Sequence, residues 1–183
     1  LDGDGEYPWD MSSPSRAAQL RRVAVMNLKK EGGGSRASGS QLLDAVQMQH
    51  GKILEEICLC DPGMIICCGL ASSGIKGNAA LLKDHVLPVS TEWASFQSRT
   101  FDRDWQYYFT EINKKQIPVI SFCHPQVTNL NCSRGHENLF IPLFQDMLYI
   151  KELFLKNSHI YRNSWVFCMI QDRFHPISYK FIK

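Results

Sequence analysis

Residues 22–40 read RVAVMNLKKEGGGSRASGS, and the rest of the chain takes its meaning from them. Val23, Ala24, Val25 and Met26 form an apolar run that ends in a polar residue, Asn27. Lys29 and Lys30 follow, then Gly32, Gly33 and Gly34, then a serine-rich segment beginning at Ser35. An apolar run without alternation predicts a strand buried on both faces, as in a parallel sheet. Such a strand delivers one amide to the end of the sheet, where a cationic, glycine-rich loop opens. Ammonium groups and the exposed amides of a glycine loop can hold polar ligands, phosphorylated ones included. The loop is no P-loop, because G-x-x-x-x-G-K-[ST] is absent. The same residues equally suit a flexible connection with solvated lysines.

Outward from this stretch, Ser40 reads as the N-cap of a helix over 41–60, with Asp44 in its first turn. Leu43, Val46, His50, Ile53, Leu54, Ile57 and Cys58 recur at three- and four-residue steps and predict one apolar face. Gly51 weakens the middle of this helix by about 1 kcal/mol relative to alanine. Asp61-Pro62-Gly63 ends it in a turn. Residues 64–68 are again apolar throughout and are closed by Gly69. The two strands and the helix between them therefore predict a right-handed, parallel β-α-β unit. A weak helix over 75–83 and a short strand over 86–89 follow, and 90–104 is polar and without pattern. Residues 105–112 and 116–123 predict a hairpin joined at Asn113-Lys114-Lys115, its second arm ending at His124-Pro125-Gln126. Residues 136–156 predict an amphipathic helix, and 165–170 a strand.

The chain has 183 residues, 44% of them hydrophobic and 21% charged, which suits one domain with a sizeable core. Three spans are expected: an N-terminal loop or remnant over 1–19, an α/β domain over 20–157 and a C-terminal extension over 158–183. No run of about 18 apolar residues predicts a membrane-spanning helix, and no basic-then-apolar leader is evident. A net charge of +2 says little about partners. The seven cysteines are odd in number and lie partly in apolar runs, which favours buried free thiols in a reducing, cytoplasmic setting. Their C-x-C and CC spacings are poor frameworks for zinc, so neither metal nor cofactor is expected.

Two polar residues stand out because each follows an apolar strand. Asn27 either satisfies a local turn or presents its carbonyl and NH2 to an amide-like edge such as that of a pyrimidine. His124 is either a surface turn histidine or an imidazole held by extended geometry before Pro125, able to donate to a developing oxyanion. In open α/β sheets ligands sit at the carboxyl ends of strands, and parallel strands would bring both residues to one crevice. Trp105, Tyr107, Tyr108 and Phe109 read as hairpin packing, with base stacking the other reading. Arg99 and Arg103, among Asp102 and Asp104, read as a solvated face.

This order of features resembles the uracil-DNA glycosylase superfamily, and most of all its small glycosylase-like proteins carrying an A-V-M-N-L-K-K-x-G-G strand and loop. Four blocks carry the resemblance: Val23 to Lys30, Gln49 to Pro62, Met64 to Gly69, and Ile120 to Gln126. The resemblance implies a three-layer α/β/α fold with a mainly parallel central sheet. It implies a DNA partner, with a base flipped from the duplex into a pocket. Asn27 would then recognise the base and His124 would stabilise the departing one. Lys29, Lys30, Gly33, Gly34 and Ser35 would contact phosphate. The family's water-activating motif has only a superficial counterpart in Gly5-Glu6-Tyr7-Pro8, which no apolar strand precedes. The expectation is thus a glycosylase-like domain lacking its first strand and that motif. It would either hydrolyse the N-glycosidic bond of a damaged base or bind nucleotides or nucleic acid without hydrolysis.

Overall fold

The helical periodicity after the glycine loop becomes α1, Gly39–Cys60. It belongs to a computed structural model that describes residues 23–29, 38–69, 77–87, 89–101, 103–122, 140–155 and 167–171. The N-cap of α1 is Ser38 and not Ser40. The Ser38 hydroxyl accepts from the Gln41 amide, and the Gln41 side chain accepts from the Ser38 amide. This reciprocal capping box satisfies two donors, which a cap at Ser40 would not. The first turn consequently holds no acidic residue, and Asp44 falls beyond it. Leu42, Val46, Ile53 and Ile57 are buried along one face. His50 does not share that face. It is exposed, and its Nδ1 meets the Gln47 carbonyl oxygen at 2.9 Å within the same helix.

Strands β1 (Val23–Asn27), β2 (Met64–Cys68), β3 (Ala94–Gln97), β4 (Asp104–Ile112), β5 (Lys115–Phe122) and β6 (Phe167–Gln171) form one six-stranded sheet in the order β1-β6-β2-β5-β4-β3. The pairs β1–β6, β6–β2 and β2–β5 are parallel. The pairs β5–β4 and β4–β3 are antiparallel. The chain is thus mixed α/β. The first two strands are parallel as expected, but β6 lies between them, so they are not neighbours. Residues from the span set apart as a C-terminal extension therefore form an inner strand of the sheet.

The apolar run in β2 is buried at all of its positions. The similar run in β1 is not, since Val25 is 63% exposed. The expectation of burial on both faces fails for β1, which among the described residues is a terminal strand of the sheet. Met26 and Leu28 alternate to one face and join the core with Leu42, Val46, Ile53 and Ile57 of α1.

Helix α2, Asn78–His85, stands a few residues beyond the predicted one. No strand forms over Val86 and Leu87. The amides of both still bond the Leu82 carbonyl, so the chain is finishing a helix there, and both side chains are buried. Asn113 and Lys114, with φ of 50° and 62°, make the two-residue β4–β5 turn. Paired positive φ values mark the type I′ geometry that suits strand twist. The Asn113 side chain donates to the Cys58 carbonyl at 3.0 Å and to Asp61 Oδ1 at 3.1 Å, tying the hairpin to the C-terminus of α1.

Helix α3, Phe140–Leu155, carries a fully buried carboxylate, Asp146. It accepts hydrogen bonds from the Ser98 hydroxyl, the Arg99 amide at 3.1 Å and Trp105 Nε1 at 2.7 Å. Three donors compensate the burial of this charge, which would otherwise be strongly unfavourable. Trp105 and Tyr108 are three positions apart and so leave β4 on opposite faces. Trp105 meets Asp146, whereas Tyr108 donates its hydroxyl to the Ala79 carbonyl of α2 at 2.9 Å. Burial holds the Tyr108 phenol well above its ordinary pKa, with the neighbouring Cys67 adding to the shift.

Candidate functional site

Because β1, β6, β2 and β5 all run the same way, their carboxyl ends meet at one edge of the sheet. Asn27 is opposite Gln171 at the ends of β1 and β6, and Cys68 is opposite Phe122 at the ends of β2 and β5. Asn27 is half-buried and follows Met26 by one residue, so alternation sets it on the face shared with Val25, away from the α1 core. Leu28, next in sequence, is fully buried. That anchor fixes the backbone on which the Asn27 amide stands. Lys29 is half-buried just beyond it.

Phe122 is the last described residue of the β5 arm, two positions before His124. Strand β5 is three strand spacings from β1, which places their ends about 14 Å apart. His124, Lys30, Gly33, Gly34 and Ser35 lie outside the described residues. The residues described at this edge are therefore Asn27 and Lys29 at one side, the end of β5 at the other, and the ends of β6 and β2 between them.

The middle of the edge is shaped by Gly69 and Asn78, a pairing that the sequence reading did not single out. Gly69 has φ of +130°, and its amide donates to the Phe122 carbonyl at 2.9 Å. Asn78 is 3% exposed. Its side chain donates to the Cys68 carbonyl at 2.8 Å, and its amide donates to the Gly69 carbonyl at 3.2 Å. One buried asparagine thus joins the end of β2 to the start of α2. A Cβ on Gly69 would stand 2.9 Å from Asn78 Nδ2, so the close approach needs glycine as much as the backbone angle does. The clue in the sequence was Gly77-Asn78 directly ahead of an Ala-Ala-Leu-Leu run.

The Arg99 and Arg103 segment is not simply a solvated face. The Arg99 guanidinium stands 3.6 Å from the centre of the Tyr149 ring, and Nε of Arg103 is buried without a hydrogen-bond partner among the described residues. Among the described residues no helix is long and apolar enough to cross a membrane, and no group of three or more His, Cys, Asp or Glu is placed to hold a metal ion. Cys67 and Cys68 are buried and Cys58 and Cys60 are partly exposed, and none of the four forms a disulfide among the described residues. Comparison with protein families, with curated proteins and with solved structures finds no match for this chain.

Proposed function

We propose that this chain is a uracil-DNA glycosylase-like protein of three-layer α/β/α architecture that recognises a base of DNA at the carboxyl edge of its parallel strands. The observation that carries the reading is the shared direction of β1 and β5: Asn27 and the approach to His124 close their strands at one edge. In this reading Asn27 pairs with the amide edge of an extruded pyrimidine, using its carbonyl as acceptor and its NH2 as donor. His124 donates to the oxygen of the departing base, and water completes cleavage of the N-glycosidic bond. Lys29 and Lys30, with Gly33, Gly34 and Ser35, neutralise the flanking phosphates.

A second reading has recognition without hydrolysis. The separation of about 14 Å between the ends of β1 and β5 favours it, because Asn27 and His124 act on one nucleotide only if the chain beyond Phe122 returns toward β2. Incubation with single-stranded, uracil-containing DNA, followed by alkaline cleavage, separates the two. Abasic product that is lost in His124→Ala supports hydrolysis. Retained DNA binding without product, abolished by Asn27→Ala, supports recognition alone. Neither product nor Asn27-dependent binding overturns both.

A further inference from the structure

We draw no further inference here: the strongest candidate, the open cavity between α2 and the start of β4, is lined mainly by exposed side chains, Trp93, Ser95, Asp104 and Gln106 among them, and nothing in the structure shows what covers them.

Discussion

Strands β2 and β4 both bury large side chains, but they do so differently. All of Met64–Cys68 is buried, while Asp104–Ile112 alternates between exposed and buried positions, with Trp105 and Tyr108 sunk on opposite faces. In the parallel half of the sheet, packing occupies both faces of β2, and the polar features described stand at the strand ends. That is where Asn27 and Gly69 stand. In the antiparallel half the strand faces themselves stay open to polar groups. Arg103, Gln106 and the buried Asp146 belong there. One half offers an edge and the other a wall, and the two are held together by different forces.

The buried carboxylate gives the strongest way to break that contrast. Asp146→Ala strands three donors that now share its oxygens, and is expected to destabilise the chain by about 3 kcal/mol or more. Urea unfolding would measure the loss, and hydrogen exchange should show β4 opening before β2. Equal loss of protection in both strands would mean that the halves form one cooperative unit. Gly69→Ala attacks the parallel half instead. With φ of +130° and Asn78 Nδ2 in the way, it should cost about 1–3 kcal/mol, read by the same unfolding curve. A neutral result would remove Asn78 as the joint between β2 and α2.

The hairpin junction, where the halves meet α1, supplies a pH test. The Lys115 ammonium bonded to Asp61, with Asn113 adding a second bond, holds the Asp61 carboxyl below the usual aspartate range. A depressed pKa contributes stability that is complete above the unfolded value, about 3.9, and is lost as pH falls through the folded one. Both side chains are more than a third exposed, so screening limits the effect to about 1 kcal/mol or less. Lys115→Met should flatten this acid limb in thermal melts taken from pH 6 to pH 2. The mildest change is Gly51→Ala, which has open space around the added methyl and should stabilise α1 by about 1 kcal/mol. A rise in melting temperature checks it.

How far each half could be read from sequence follows the same division. Unbroken apolar runs gave β2 and the buried arm of the hairpin directly, and three- and four-residue spacing gave α1. Strand β3, Ala94–Gln97, carries little apolar pattern because most of it stays exposed, and it was not foreseen. Nor could the position of β6 be inferred, since sequence order does not state which strands a late strand will separate. At the site, Asn27 was legible because a polar residue ending an apolar run is conspicuous. Asn78 was not, because its burial depends on elements distant in the chain. Asp146 had left a trace: it is the only charged residue in FIPLFQDMLYI, a helix segment whose one other strongly polar residue is Gln145.

The central claim is that Asn27 reads a base at the carboxyl edge of the parallel strands. Its most direct test is a crystal structure of the chain with a uracil-containing, single-stranded oligonucleotide. The account predicts the uracil amide edge within hydrogen-bond distance of the Asn27 side chain and its neighbouring phosphates beside Lys29. An ordered oligonucleotide whose bases all lie away from Asn27 would contradict it.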